Sequence, residues 1–97
     1  MIDDDEAKRI QENLTVIRNY LLDKFQGFHL VRDQSEGPCG HLFTVADRSI
    51  YTLYTLKVSG ARLSDKAHTS EDIKRLLDLD IVADRMRDPR NGGYFSW

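Results

Sequence analysis

Between Ala7 and Leu21 an apolar residue returns at intervals of three, four, three and four: Ala7, Ile10, Leu14, Ile17, Leu21. An α-helix carries that spacing onto one face, because its period is about 3.6 residues. Val16, Tyr20, Leu22 and Phe25 widen the stripe. Asp3 to Glu6 set negative charge at the N-terminal end, where the helix dipole favours it. Lys24 stands near the other end, and Gly27 suits the left-handed position that follows a helix. The spacing predicts a helix over residues 4–25, roughly 33 Å long. Leu14 and Ile17 lie mid-stripe and are predicted core. A helix with one apolar stripe needs a second layer to bury it.

After Gly27 the period changes. Phe28 to Arg32 is short, partly β-branched and aromatic, and reads as a first strand. Gln34 to Gly40 is a turn cluster with two glycines around Pro38. His41 to Ala46 is a second strand, and Asp47 to Ser49 a short turn. Ile50 to Val58 is a third, long strand rich in residues that favour the pleated state. Connections this short make neighbours antiparallel, so a three-stranded meander is expected. Residues 60–68 read as a polar connection. Thr69 or Ser70 then caps a second helix, with Glu71 and Asp72 in its first turn. Ile73, Leu76 and Leu77 form one stripe there; Leu79, Val82, Ala83 and Met86 form another on a different face. Either the helix kinks near Asp78–Asp80, with Asp80 as a fresh cap, or its second half is buried on two sides. Asp88-Pro89 ends the helix, because a residue before proline avoids the helical region.

The order is therefore α-β-β-β-α in one domain spanning residues 1–97, with residues 89–97 a C-terminal aromatic tail. The expected architecture is a two-layer α+β fold: an antiparallel three-stranded meander with helices packed on one face. Double-stranded-RNA-binding domains share this order as a matter of topology, and topology does not carry function. Such domains need a lysine cluster entering the second helix to meet RNA phosphates. Here Ser64 to Asp72 hold three acids against one lysine.

Composition narrows the function classes. The chain has 16 acidic residues against 14 basic, a formal net charge of −2, which supplies no basic field for general nucleic-acid or membrane adhesion. Charged residues make up 31%, and no apolar run approaches the length of a membrane span. The acidic N-terminus lacks the pattern of a secretory signal, so a cytoplasmic location is expected, with the single cysteine, Cys39, as a reduced thiol. One cysteine supports neither a disulfide framework nor a paired-cysteine metal knuckle.

Catalytic constellations are weak throughout. Cys39, His41 and His29 could converge on a metal, but Cys39-Gly40-His41 is not a chelating spacing and a fourth ligand would have to be imported. Cys39 beside His41 suggests a nucleophilic dyad without any surrounding signature. Asp33 and Glu36 with Lys57 would suit a nuclease-like site, though their spacing is not distinctive. The remaining carboxylates sit at helix starts or on polar faces, where capping and solvation explain them. Gly92-Gly93 is not followed by a helix and cradles no phosphate. No catalytic residue, cofactor or metal is expected.

The tail is the unusual feature. Three of the chain's nine aromatics fall in its last four residues. Leaving Tyr94, Phe95 and Trp97 in water would forgo about 1.5–3 kcal/mol of burial for each large side chain. Either they fold back over the sheet's second face, with Tyr94 and Phe95 as cover, or they anchor a partner. Arg85, Arg87 and Arg90 precede them, and tyrosine, tryptophan and arginine dominate interface hot spots. The candidate binding residues are accordingly Arg85, Arg87, Arg90, Tyr94, Phe95 and Trp97. The expected function is a small non-catalytic protein-interaction module, adaptor- or inhibitor-like, able to form a homodimer through a strand edge or the second sheet face. The alternatives are a nucleic-acid-binding domain using Lys57, Arg62, Lys66, Arg85, Arg87 and Arg90, and a subunit or fragment of an enzyme complex.

Overall fold

The computed structural model describes residues 4–49 and 51–97. Helix α1 (Asp4–Lys24) opens on Asp4, Asp5 and Glu6 and closes on Lys24, so both ends complement its dipole. It buries Leu14, Ile17 and Leu21, and Phe25 follows them into the core. The predicted stripe is not buried throughout: Ile10 is half-buried and Ala7 exposed, because the first turns of α1 run beside an open cleft. A polar residue is buried beside the stripe instead. Asn13 is fully enclosed and its Nδ2 donates to the Leu63 carbonyl at 3.0 Å.

Strands β1 (His29–Ser35), β2 (Gly40–Ala46) and β3 (Leu53–Ser59) form the antiparallel meander that short connections require. β1 runs three residues past its predicted end. The register shifts between Leu30 and Arg32, where Val31 bulges out. A bulge changes the phase of the alternation, so Gln34 and Ser35 read as turn when they are strand, and Asp33 continues the strand with them. The turn itself contracts to one 3₁₀ turn, Gly37–Cys39. Ile50, where the sequence starts the third strand, lies outside the described residues.

The sheet has four strands, which corrects the expected three. β4 (Tyr94–Ser96) lies parallel to β3, with Leu56 opposite Phe95. The Thr55 amide donates to the Gly93 carbonyl at 2.7 Å, the Trp97 amide to the Lys57 carbonyl at 2.7 Å, and the Ser59 amide to the Trp97 carbonyl at 3.3 Å. The tail thus supplies partners for what would otherwise be an open edge of β3. A three-residue strand behind two glycines has no alternation to read, which is why it looked like loose tail.

The helices between β3 and β4 provide the crossover that parallel pairing needs. Helix α2 (Gly60–Ser64), read from sequence as a polar connection, starts where Ser59 Oγ accepts the Arg62 amide at 3.2 Å, and it buries Leu63. Helix α3 (Ser70–Leu79) begins with a complete capping box. Thr69 Oγ1 accepts the Asp72 amide and the Asp72 carboxylate accepts the Thr69 amide. Helix α4 (Val82–Arg87) ends before Pro89 as expected.

The break between α3 and α4 falls at Ile81, one residue past the predicted kink, with φ 45° and ψ 48°. Asp80 is not the cap of α4; its carboxylate accepts the Trp97 indole N–H at 2.8 Å. Tyr20 reaches across from α1, and its hydroxyl accepts the Ala83 amide at 3.0 Å. The break turns Val82, Ala83 and Met86 into the same core as Ile73 and Leu77, and leaves Leu79, counted in the second stripe, 70% exposed. A β-branched residue in the left-handed region is strained by about 1–2 kcal/mol. Ile81→Asn is therefore expected to hold stability level or raise it by up to about 1 kcal/mol, read as the urea midpoint.

The core lies between the helices and the sheet face that carries Phe43, Val45, Leu56 and Val58. Phe25, Phe28 and Tyr54 close one end, with the Phe25 ring 5.5 Å from each of the other two. Among the described residues no helix is long and apolar enough to cross a membrane.

Candidate functional site

The six residues singled out at the C-terminus separate in the fold. Trp97 is only 7% exposed. The Arg62 guanidinium lies 4.0 Å from the centroid of its ring, and Arg62 Nε donates to the Trp97 carbonyl at 3.3 Å. Phe95 is half-buried against the core, with Arg85 5.9 Å from its ring centroid. Arg85 Nε donates to the Asp80 carbonyl at 3.1 Å. Arg87 sits 4.3 Å over Phe25, and its Nη2 donates to the Lys24 carbonyl at 2.7 Å, where α1 leaves unpaired carbonyls. Arg90 is exposed and pairs with Asp88 at 2.8 Å. Tyr94 alone turns to the opposite sheet face, at 45% exposure.

The tail therefore extends the sheet at its edge and does not fold over the second face. Trp97 is its buried aromatic, and the tyrosine expected to cover the sheet is open. The six cations of the nucleic-acid alternative do not gather either. Arg62 is stacked on Trp97 and Arg87 on Phe25, while Lys57 belongs to the opposite sheet face.

That opposite face is defined by register. Its central row runs Arg32, Thr44, Thr55, Tyr94 across β1, β2, β3 and β4. The two threonine hydroxyls meet at 3.0 Å. Leu42 and Lys57 flank the row on one side, Ala46 and Leu53 on the other. Leu53 is 49% exposed, and Val31 at the bulge is 56% exposed. Along β1 every residue except Leu30 is exposed. The bulge and the charges of Arg32 and Asp33 discourage indiscriminate pairing along that edge.

No family model, curated protein or solved structure matches the chain.

The histidines and the cysteine do not converge. The register sets His29 opposite Ala46 and His41 opposite Ser35, at the two ends of the ladder. Six residues of strand separate them by about 20 Å. Cys39 is exposed in the 3₁₀ turn. Among the described residues no three His, Cys, Asp or Glu side chains gather where they could hold a metal ion. Asp33 and Lys57 also part company: one stands opposite Phe43 on the core face, the other opposite Leu42 on the open face.

His41 instead heads a short hydrogen-bonded chain. Its Nε2 lies 2.5 Å from one Asp33 oxygen, and Arg18 Nε donates to the other at 2.5 Å. The ring packs on Phe43, with centroids 4.7 Å apart. Sequence reasoning missed this grouping because it ended the first strand at Arg32 and set Asp33 with Glu36 and Lys57 instead. Only the strand's continuation past Val31 brings Asp33 opposite β2.

Partial burial pushes the Asp33 carboxyl up, but hydrogen bonds from Arg18 and His41 outweigh it and hold it below the ordinary range. A carboxyl with a depressed folded value stabilises the fold above its unfolded value and stops doing so as pH falls through the folded one. The stability gap between wild type and Asp33→Asn is thus expected to be present at neutral pH and to close below about pH 4. Solvent access limits that gap to about 1 kcal/mol or less. Thermal melts of both proteins across that range measure it.

Proposed function

We propose that this chain is a small non-catalytic protein-interaction module of adaptor or inhibitor type. It works in the cytoplasm and meets a protein partner with the sheet face opposite its core. The exposure of Val31, Leu53 and Tyr94 around the Thr44–Thr55 row supports this most directly. A solvated sheet face ordinarily alternates to polar residues, and large exposed apolar side chains grouped on one surface mark contact sites. The large aromatics at the C-terminus are mostly engaged within the fold, so the partner meets Tyr94 and not Trp97. The same face offers a second copy of the chain a surface to meet, which makes a homodimer part of the same proposal.

The test compares wild type with a Leu53→Asp/Tyr94→Asp double variant. Both residues are exposed, so the fold, checked by circular dichroism, should survive. Affinity capture from the source organism's lysate should yield a protein partner with wild type and lose it with the variant. A partner retained by the well-folded variant would overturn this choice of surface. Sedimentation equilibrium at high micromolar concentration checks the dimer: a single 11.2 kDa species would end it.

A further inference from the structure

Charge is sorted between the two layers of this fold. The described carboxylates lie on the helices, in the connecting segments or, for Asp33, on the core face of β1. Register places none on the open sheet face, where Arg32 of β1 and Lys57 of β3 both stand. Neither of these cations is in an ion pair. The arginines that are, Arg18, Arg75 and Arg90, hold acids off this face. The chain as a whole carries a formal charge of −2, so its other surfaces are more acidic still.

Arg32 is exposed and Lys57 half-buried. They stand two strand spacings and two residues apart, about 12 Å. That exceeds the screening length of about 8 Å in physiological salt, so they are two separate anchors and not a clamp on one anion. Apolar side chains surround both. Leu42 is the neighbour of Lys57 on β2, Tyr94 shares the row of Arg32, and Leu53 lies on the far side of that row. Carboxylates that meet the two cations while apolar groups cover Leu53 and Tyr94 would be drawn more strongly than in open water.

We propose that the partner of this face is an acidic polypeptide whose contact segment interleaves carboxylates with apolar or aromatic side chains, the carboxylates meeting Arg32 and Lys57. This rests on the sheet-face reading and narrows it. The sheet face of a second copy brings two further cations and is the weaker occupant. A nucleic acid continues its phosphates past the two cations onto an otherwise acidic chain, which repels them.

Fluorescein-labelled random copolymer of glutamate and tyrosine is the probe, read by anisotropy with the full chain. It should bind saturably, and raising salt from about 50 to about 300 mM should weaken it several-fold. Labelled polyglutamate should bind at least about fivefold more weakly, since it has nothing to set on Leu53 and Tyr94. An Arg32→Gln/Lys57→Gln variant should weaken copolymer binding about fivefold or more, with the circular dichroism spectrum unchanged. Lys66→Gln/Lys74→Gln makes the same change in net charge at exposed positions off the face, and should stay within about twofold of wild type. Absent binding, or equal loss in the two variants, would overturn the proposal. Equal binding of polyglutamate would overturn its apolar half. Tighter binding of an oligothymidylate of about twelve nucleotides, dependent on Arg32 and Lys57, would replace the polypeptide with a nucleic acid. The lysate experiment separates this inference from the reading beneath it. A partner lost by Leu53→Asp/Tyr94→Asp but kept by Arg32→Gln/Lys57→Gln leaves the face standing and ends the acidic assignment. A partner kept by the first variant ends the choice of face.

Discussion

A chain ending at Asn91 is expected to lose about 3–5 kcal/mol of stability, the cost of removing a large core aromatic, and to be largely unfolded near body temperature. Three effects act together. Trp97, 7% exposed, leaves a hole among the core residues it packs with. The Asp80 carboxylate loses the indole N–H it accepts at 2.8 Å. The edge of β3 loses the hydrogen bonds that Thr55, Lys57 and Ser59 make to residues 93–97. A domain of this size holds about 5–15 kcal/mol in all, so the loss is a large share. Tyr94→Ala is the control: exposed and on the open face, it should cost about 1 kcal/mol or less. Urea denaturation reads both. A truncated chain with an unmoved midpoint would mean that the tail is no part of the fold.

Gly40→Ala is expected to be at least as damaging. Gly40 opens β2 at φ 126°, a conformation that side chains rarely adopt. A Cβ there would lie 1.9 Å from the Val58 carbonyl oxygen and 3.0 Å from the Gly60 nitrogen. Both are backbone atoms, so no side chain can swing aside. Relief requires pulling the β1–β2 turn away from β3 and the start of α2. The expected outcome is a loss of about 4 kcal/mol or failure to fold. Gly37→Ala separates strain from clash. Gly37 also has a positive φ, 65°, but a Cβ there meets nothing within 4 Å, and the cost should be about 1–2 kcal/mol. Thermal melts that put the two variants level would refute the close contact.

The periodic parts of this fold were legible in its sequence, and the parts fixed by long-range contact were not. α1 could be read because Leu14, Ile17 and Leu21 repeat every turn against one core. The capped start of α3 and the stop before Pro89 are local chemistry, and both stand where the sequence put them. The meander followed from short connections. β4 could not be read, because its reason for existing is the free edge of β3, about forty positions earlier. Asp33 and Arg18 could not be joined to His41, because a bulge at Val31 changes which residues face β2. The composition of the tail announced burial, which holds for Trp97 and partly for Phe95 but not for Tyr94. It did not say that Arg85 and Arg87 serve the ends of α3 and α1, and without that the basic-aromatic cluster resembles a recognition patch.

The central claim is that Phe95 and Trp97 belong to the fold, which leaves the opposite sheet face as the proposed recognition surface. Trp97 is the chain's one tryptophan, so its emission reports on this claim alone. Selective excitation of the free, full-length protein, with and without acrylamide, is the most direct measurement. The account predicts blue-shifted emission that acrylamide quenches poorly, as for an indole enclosed by Arg62 and the core and hydrogen-bonded to Asp80. Emission at the position of a solvated indole, freely quenched, would contradict it and return the tail to the role of a partner's anchor.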